Sequence, residues 1–476
     1  MNELSLKPLI PELTLLGFAC LVLILDLYSS DREKRSCYSI AQIGFFVVFL
    51  VLVGQLGTTK QIHYYGTYVI DNLSVLLKLA IVAISSLSLV YARVFIKGRR
   101  FLRGEYFALC LFAVLGMMVM VSAYSLLTVY LGLELLSLTL YALIAMQRDG
   151  RRSPEAAIKY FVTGAIASGF LLYGMSLLYG VTGQLQLASI YQALVSGGDN
   201  IMLARFAVMF FVAGIAFKLG LVPFHMWIPD VYHGAPTSVT AFLASVPKIA
   251  GYGLAIRLLI EGMQPLLSDW SQMLLITALL SIAFGNIIAI AQTNFKRLLA
   301  YSGIAHMGYF ALGLYAGEHG GYQASMYYVL VYAFMTLAGF GLLVFMSRIG
   351  YECDSLDDFK GLAKQNAWYA LMLTLVMLSM AGIPPLIGFW PKLEIFRALI
   401  AAGHINIAIF AIVFSVIGLF YYLRVIKVVF FDDAEKDFLF IPSRSIRFAI
   451  TFHCLGMLVL GISPETVYRY CIMAFT

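Results

Sequence analysis

The sequence predicts an all-α, polytopic membrane protein of about 14 transmembrane helices, with two inverted five-helix repeats and discontinuous seventh and twelfth helices. With 476 residues, of which 61% are hydrophobic and 12% charged, the chain has too little polar surface to cover a soluble globule. Apolar runs of about 20 residues recur along it, the length that crosses a hydrocarbon core of ~30 Å. Proline-containing motifs interrupt two of these runs. A single membrane domain is therefore expected over residues 1–476.

The apolar runs set the predicted helices and the domain plan. They cover residues 9–28, 38–56, 70–92, 105–122, 125–146, 155–180, 201–221, 234–260, 270–291, 296–316, 322–347, 367–401 (interrupted), 405–430 and 446–468. The plan places three N-terminal helices in 1–100, a first five-helix repeat in 105–265, a second in 267–432 and a C-terminal helix in 440–476. No small-residue cleavage site follows the first run, so it is predicted to be a membrane helix and not a cleaved signal.

An internal repeat is predicted from two glycine and proline motifs. Residues 220–229 and 382–391 share the pattern G-x-x-P-x-x-x-x-x-P at an offset of 162 residues. The same offset carries the runs 105–122 and 155–180 close to the ninth and eleventh runs. Because five is an odd number of helices, the second repeat must be inverted relative to the first. Inverted repeats with broken helices at matching positions indicate an ion site near the bilayer midplane.

The basic residues indicate topology and not nucleic-acid binding. Of the 32 lysines and arginines, 22 fall in loops on one side of the predicted helices, six on the other side and four inside apolar runs. By the positive-inside rule, this asymmetry predicts an even number of helices with both termini outside. The net charge of +7 is thus explained by short loops between membrane helices.

The ionisable residues inside the apolar runs are the candidate site. A charge at the bilayer centre costs roughly 2.5–3.5 kcal/mol, so such groups usually mark an ion or proton path. Glu134 lies near the middle of the fifth run, and Lys218 of the seventh run is its predicted partner by depth. Lys248 and Lys392 each follow a proline, whose missing N–H leaves a carbonyl acceptor unpaired one turn earlier. Unlike arginine, a buried lysine can gain and lose its proton near neutrality. The pattern predicts a relay of switchable charges.

Two histidines and one further lysine are weaker candidates. His225, beside the first break, and His306, in the tenth run, are possible relay residues because histidine titrates near neutral pH; packing roles remain open for both. Lys78 in the third run is expected to snorkel to an interface or, less readily, to join the relay. Residues 230, 232 and 233 are expected in a loop. A purely structural Glu134–Lys218 pair also remains open, although buried ion pairs are poor stabilisers.

No cofactor or metal site is predicted in this chain. It has no phosphate-binding loop, no G-x-G-x-x-G after a strand and no histidine pair at haem or zinc spacing. Its six cysteines are scattered, without a C-x-x-C motif, at positions 20, 37, 110, 353, 454 and 471. The sequence therefore offers no means of moving electrons or hydrolysing ATP.

Three long motifs resemble the antiporter-like membrane subunits of proton-pumping NADH:quinone oxidoreductase, respiratory complex I. They are LGLELLSL at 131–138, KLGLVPFHMWIPDVYHGAPT at 218–237 and GIPPLIGFWPK at 382–392. The resemblance spans nearly the whole chain. It implies a proton channel in which Glu134 and Lys218 form a pair, Lys248 is the central relay and Lys392 the outlet-side lysine. It also implies that FMN, iron–sulfur clusters and the quinone pocket belong to other membrane and peripheral subunits of the complex.

Within that family, further features indicate which subunit type the chain resembles and where it is located. Lysine stands at 392 where another subunit type has glutamate, and the chain stops soon after the fourteenth run, without the long lateral helix of a third type. The N-terminal helices favour a bacterial member, in the inner membrane with both termini on the periplasmic side. Two alternatives stay open: a cation/proton antiporter of the Mrp type, and a passive scaffold whose buried charges only set helix register.

Overall fold

The computed structural model describes residues 5–28, 34–97, 103–148, 150, 152–197, 201–347, 352–434 and 444–475. Within these ranges the chain is almost entirely helical, with one two-stranded sheet, so the predicted all-α class is confirmed. Arg32, Arg99, Arg100, Arg151, Arg348 and Lys436, which contribute to the predicted charge asymmetry, lie outside the described residues.

The first ten helices contain the N-terminal segment and the first interrupted helix. They are α1 Ile10–Tyr28, α2 Arg35–Val53, α3 Asn72–Ile96, α4 Gly104–Ser122, α5 Leu126–Ala145, α6 Arg152–Thr182, α7 Leu187–Val195, α8 Ile201–Leu219, α9 Trp227–Gly234 and α10 Thr237–Ala255. A π-helical segment, Ile256–Gly262, extends α10. Strands β1 (Gln61–His63) and β2 (Tyr68–Ile70) form an antiparallel hairpin between α2 and α3. The apolar-run pattern did not predict this hairpin.

The remaining helices contain the second interrupted helix and the C-terminal segment. They are α11 Leu267–Ile290, α12 Phe295–Ala316, α13 Gly321–Met346, α14 Leu362–Gln365, α15 Ala367–Ala381, α16 Phe389–Ala401, α17 Ile405–Phe431, α18 Arg444–Ile462 and α19 Glu465–Met473. Over the described residues, 12 helices are long and apolar enough to cross a membrane. The interrupted α15/α16 and α12, which is long enough but less apolar, are not among them. The count of fourteen stays a prediction.

Both predicted discontinuities are present, and each begins at a glycine. Helix α8 ends at Leu219 and resumes as α9 after residues 220–226; α15 ends at Ala381 and resumes as α16 after residues 382–388. Gly220 and Gly382 have φ of +81° and +85°, a left-handed conformation that residues with a Cβ rarely adopt. Each glycine ends its helix by turning the chain, and the prolines that follow prevent the helix from resuming at once.

Close helix contacts recur in the two halves. A Cβ at Gly116 of α4 would lie 2.7 Å from the backbone nitrogen of Leu136 in α5. A Cβ at Gly285 of α11 would lie 2.6 Å from the backbone nitrogen of Ala305 in α12. Both pairs are related by 169 residues, seven more than the offset between the broken helices. These correspondences support the predicted repeat, while its boundaries and its inversion stay predictions.

The two ends of the bundle can be told apart by the hairpin. Tyr64 of the hairpin turn donates a hydrogen bond to the Ser5 carbonyl (2.6 Å), and Asn72 at the start of α3 donates to the Met473 carbonyl (3.4 Å). The first and last described segments therefore lie at one end, which we call the hairpin face. Helix α9 and the connections after α11 and α13 lie at the other end, which we call the opposite face.

The opposite face differs from expectation at α9. Asp230, Tyr232 and His233, expected in a loop, lie on this short helix, and Tyr232 is buried. Asp230 accepts ion pairs from Lys159 of α6 (3.0 Å) and Arg297 of α12 (2.9 Å). Burial alone would raise the pKa of Asp230, but hydrogen bonds from these two cations lower it below its usual value. The second half of the broken helix is thus fastened to both halves of the bundle.

Candidate functional site

Lys248 lies against the end of the first broken helix. Its side chain is 2% exposed, and Nζ donates hydrogen bonds to the carbonyls of Leu219 (2.7 Å) and Lys218 (3.3 Å). The last carbonyls of a helix have no partner within the helix and carry its partial negative charge. The ammonium group of α10 therefore caps α8 at the break.

Lys392 occupies the corresponding place at the second break. It is 7% exposed, and Nζ donates to the carbonyl of Ala381 (2.9 Å) and to Oγ of Ser415 in α17 (3.0 Å). The ring of Tyr309 in α12 lies 5.3 Å from the same nitrogen, within the range of a cation–π contact. Both proline-following lysines thus bind the carbonyl end of a half-helix, one from a neighbouring helix and one from the second half of its own.

Lys218 is buried in the last turn of α8 but is not in contact with its predicted partner. Its Nζ donates to Oγ of Ser137 in α5 (3.0 Å). Among the described residues, no ion pair joins Glu134 to Lys218 within 4.0 Å, and the buried Oε1 of Glu134 has no hydrogen-bond partner. A cavity of about 20 Å³, room for about one water, lies beside Ser137 and Lys218. The carboxylate and the amine therefore share a site without a direct bond.

His306 lies in a cluster of hydroxyl groups between α12, α13 and α17. Its Nδ1 is 2.6 Å from the Tyr328 hydroxyl, and its Nε2 is 3.1 Å from that of Tyr422, which in turn is 2.5 Å from Oγ of Ser302. The rings of Tyr328 and Tyr309 stack with centroids 6.2 Å apart. His306 is thus joined through aromatic side chains to the surroundings of Lys392.

His225 is placed differently from the other candidates. It lies half-buried in the segment 220–226, and its buried Nδ1 has no hydrogen-bond partner. No hydrogen bond between described residues joins its side chain to Lys218 or Lys248. A relay role for His225 stays a prediction without a contact to support it.

Comparison with known proteins identifies the family. Residues 123–418 match the family model described as "NADH:quinone oxidoreductase/Mrp antiporter, TM". NADH-quinone oxidoreductase subunit N of Thioalkalivibrio sulfidiphilus is 47% identical over 96% of this chain and 95% of its own length. This chain belongs to the NADH-quinone oxidoreductase subunit N family. The family resemblance inferred from the three motifs, and its narrowing to one bacterial subunit type, are confirmed.

Solved structures of respiratory complex I and of an Mrp complex contain chains with the same fold. A chain of respiratory complex I from Thermus thermophilus with bound aureothin is 31% identical, with a TM-score of 0.83 over 97% of this chain and 99% of that one. A chain of the Mrp complex from a Dietzia species has a TM-score of 0.84 over 100% of this chain and 97% of that one, at 20% identity. The second match shows a shared fold alone.

Sequence reasoning missed the polar residues that contact Lys218, Lys392 and His306. These partners are Ser137, Tyr309, Tyr328, Ser415 and Tyr422. A signal for two of them was available: Ser137 and Tyr309 each follow a candidate residue by three positions and so share its helix face. The others come from helices distant in sequence, so only the packing of the bundle identifies them.

Two further buried charges lie away from the lysine sites. Lys78, expected to snorkel, is instead 2% exposed and paired with Glu12 of α1 at 2.6 Å, because α1 and the hairpin cover it. Arg257, one of the six basic residues that the charge count assigns to the other side, is fully buried near the hairpin face and binds both oxygens of Asp71 (2.7 and 2.8 Å) and also Glu261. Burial would raise the pKa of Asp71, but the Arg257 guanidinium holds it well below its usual range.

No metal-binding group emerges from the part of the chain that the structure describes. Within those ranges, no cluster of three or more histidine, cysteine, aspartate or glutamate residues is arranged to hold an ion. The buried site described above contains amines, a carboxylate, an imidazole and hydroxyl groups.

Proposed function

We propose that this chain translocates protons across the membrane as subunit N of a proton-pumping NADH:quinone oxidoreductase. Electron transfer from NADH through FMN and iron–sulfur centres to quinone takes place in the other membrane and peripheral subunits. One observation carries the proposal: three buried ammonium groups, at 218, 248 and 392, each bind uncharged oxygen acceptors at or near a helix break. An amine bound in this way can release its proton without first breaking a strong ion pair.

The first step takes place between Glu134 and Lys218. Work done elsewhere in the complex changes the charge or hydration next to Glu134 and weakens its attraction for the Lys218 ammonium. The four-carbon lysine side chain then rests on Ser137, as it does in this structure. With the carboxylate out of contact, the ammonium group loses the interaction that most favours its charged form and becomes a proton donor.

The second step carries the proton to Lys248 after Lys248 has passed its own proton onward and become a neutral amine. The Lys248 ammonium binds the carbonyl of Lys218 itself, so the two lysines meet at the last turn of α8. Water in the break connects their nitrogen atoms. The half-helix end favours a positive charge at this point, which makes Lys248 a stable holding site in the middle of the bundle.

The third step leads to Lys392. His306, Tyr328 and Tyr309 lie along the side of the bundle that faces Lys392. Lys392 first discharges its own proton to the outside and becomes a neutral amine. Water links Lys248 to this cluster, and the proton from Lys248 then protonates Lys392 again. In this scheme His306 is a relay, because both of its nitrogens already have hydroxyl partners.

The proposed orientation places the hairpin face in the periplasm. Both described ends of the chain lie at that face, and the basic loops counted in the sequence belong to the other. The protein is then a multi-pass component of the bacterial inner membrane with periplasmic termini. Protons enter from the side of α9 and leave on the side of the hairpin.

Alanine variants of the buried lysines test the path. In the assembled complex reconstituted into vesicles, Lys218→Ala, Lys248→Ala or Lys392→Ala should lower proton pumping and coupled NADH oxidation at least severalfold. Lys364→Ala is the matched control, since that lysine is 60% exposed and pairs only with exposed Asp433 in the described part of the chain. Near-normal pumping by the Lys218 or Lys248 variant would refute its role. Poor assembly with normal pumping per complex would instead indicate a passive scaffold, in which the buried charges only set helix register.

The Mrp-type antiporter remains the second candidate for the same site. The fold match to the Mrp complex favours it only at the level of architecture, because identity is 20%. Purification under mild detergent separates the two: co-purification with flavin and iron–sulfur subunits supports the oxidoreductase. Sodium-dependent proton exchange by the chain in a complex without those subunits would support the antiporter.

A further inference from the structure

The acceptor that holds Lys218 in this structure is a serine hydroxyl on the helix of Glu134. Ser137 is 4% exposed, and its Oγ is 3.0 Å from Nζ of Lys218. Glu134 lies three residues earlier on α5, so the two acceptors are neighbours one helical turn apart. A lysine side chain pivoting at Lys218 can reach either of them. The structure therefore contains two alternative binding positions for the Lys218 ammonium group, one at Glu134 and one at Ser137.

The hydroxyl group of Ser137 is arranged to accept and not to pass on a proton. It donates its own hydrogen to the Leu133 carbonyl (2.7 Å), which leaves an oxygen lone pair for the lysine. Thr139, two residues further on, also donates to helix carbonyls, those of Leu135 and Leu136 at 2.8 Å, but it binds no lysine among the residues that the structure describes. The contact with Lys218 thus depends on the helix face and not on the mere presence of a hydroxyl in α5.

The water-sized cavity lies next to the second binding position, the one at Ser137. Ser137, Lys218, Tyr141 and Tyr160 are among its lining residues, and its volume of about 20 Å³ holds about one water. An ammonium group has three N–H donors. Ser137 takes one, and a water in the cavity can take another. The proton that leaves passes from the ammonium to this water and onward through water, so Lys218 becomes a neutral amine while Ser137 keeps its own hydrogen.

The repeat correspondence points to the same position independently. The spacing of 169 residues that relates Gly116 to Gly285 also relates Ser137 to His306. His306 lies in the hydroxyl cluster of the second half. One position on the equivalent helix thus carries a polar, buried group in both halves.

We propose that Ser137 is a positioning residue for proton transfer: it holds the Lys218 ammonium against the cavity water whenever the lysine is out of contact with Glu134. This inference rests on the proposed function and adds to it the site that accepts the lysine when the pair opens. Without Ser137, the Lys218 ammonium loses the hydroxyl that holds it away from Glu134, so the lysine is paired with the carboxylate for more of the time and proton release slows.

The test compares three substitutions in the assembled, reconstituted complex. Ser137→Ala should lower the ratio of protons pumped to electrons transferred at least threefold, with normal assembly and normal quinone reduction in uncoupled membranes. Ser137→Thr, which keeps the hydroxyl, should restore most of that ratio. Thr139→Val is the matched control, because it removes a buried hydroxyl from the same helix without touching Lys218, and it should pump normally. If the alanine variant fails to assemble, Ser137→Cys keeps the volume with a weak acceptor and should show the same loss.

The possible results separate this inference from the proposed function. Normal pumping by Ser137→Ala or Ser137→Cys, together with a loss in Lys218→Ala, would overturn the role of Ser137 and leave the lysine path standing. Normal pumping by Lys218→Ala would overturn the path itself. Equal losses in Ser137→Ala, Ser137→Thr and Thr139→Val would mean that the hydroxyl is not what matters, and would also overturn the inference.

Discussion

Lys78 shows how a single buried charge is accommodated away from the lysine path. Its Nζ lies 2.6 Å from Oε1 of Glu12 and donates to the Tyr68 hydroxyl at 2.9 Å, while Tyr68 donates to the same carboxylate oxygen at 2.8 Å. The lysine and the glutamate are 2% and 4% exposed. This ion pair joins α1, the hairpin and α3. All three segments lie outside residues 123–418, which match the family model.

Removing one partner of this pair should cost far more than removing both. Lys78→Met leaves a buried carboxylate without its cation, and loss of one partner of a buried pair costs roughly 3–5 kcal/mol, whereas neutral replacement of both is often close to neutral. We expect the midpoint of thermal inactivation of the purified complex to fall in Lys78→Met and to recover in the Glu12→Gln/Lys78→Met double variant.

A partly exposed pair provides the control for that measurement. Lys60, which is 45% exposed, pairs with Glu261 at 2.9 Å, and Glu261 keeps Arg257 as a second cation. Pairs with an exposed lysine contribute about 0–1 kcal/mol. Lys60→Met should therefore change the midpoint little. A double variant no more stable than Lys78→Met would contradict the ion-pair explanation. Unchanged pumping in the double variant is also expected, since the pair lies apart from the three path lysines.

Single site residues could be predicted from the sequence where a charged residue interrupts an apolar run. Lys248 and Lys392 interrupt apolar runs and follow prolines, and both are indeed buried at helix breaks. Glu12 also interrupts an apolar run, but its partner could not be predicted, because nothing local says that α1 packs beside the hairpin and α3. The positions of Glu134 and Lys218 along their helices suggested that these residues pair. Position along the helix cannot distinguish Glu134 from Ser137, which lies on the same face of α5.

At the scale of the helix, the two breaks depend on glycine for both conformation and space. A Cβ at Gly220 would lie 1.9 Å from Cδ1 of Ile228 and 3.6 Å from Nζ of Lys248. A Cβ at Gly382 would lie 3.0 Å from Cδ and 3.2 Å from Nζ of Lys392. The absent side chains are what allow each ammonium group to reach the carbonyls at the end of the half-helix.

Alanine at these glycines should disturb the lysines as well as the backbone. Gly220→Ala and Gly382→Ala each add a left-handed strain of roughly 1–2 kcal/mol and push against the neighbouring side chains. We expect proton pumping to fall severalfold in both, with electron transfer retained in uncoupled membranes. Pumping and NADH oxidation by the reconstituted complex are the measurements.

Gly403 separates strain from displacement of the lysines. It has φ of +81°, like Gly220, but a Cβ there would meet nothing within 4 Å. Gly403→Ala therefore carries the same backbone strain without a lysine contact, and it should lose some stability while pumping normally. A pumping defect in Gly403→Ala as large as in Gly220→Ala would show that backbone strain alone accounts for the effect.

Helices could be predicted where a long apolar run defines them. Secondary structure that depends on tertiary contacts was predicted less well. Each predicted run contains a helix, and the breaks fall at the motifs. The hairpin was missed because its strands have only three residues each and depend on the neighbouring connection, where Tyr68 pairs with Ala123. Residues 230, 232 and 233 lie in helix α9 and not in a loop, and Asp230 of this helix is held by ion pairs with α6 and α12, which local sequence does not reveal.

For the whole molecule, charge asymmetry and contacts between chain ends lead to one orientation. Tyr65, in the turn of the hairpin, is 79% exposed at the hairpin face. Lys364, 60% exposed, lies in α14 at the opposite face, close to the end of α17, where Gly361 donates to the Val428 carbonyl. One cysteine placed at each position therefore reports on one side of the membrane.

Labelling of these cysteines should fix the orientation without reference to activity. Of the native cysteines only Cys20 is exposed and the other five are buried, so Cys20→Ala provides a quiet background. In intact spheroplasts a membrane-impermeant maleimide should label Tyr65→Cys, whereas Lys364→Cys should react only after the membrane is opened. The reverse pattern would place the termini in the cytoplasm and would exchange the sides on which protons enter and leave, because Lys392 would then discharge toward the cytoplasmic side. Both variants should pump normally, since neither side chain contacts a path lysine, and this keeps the labelled complex in its working state.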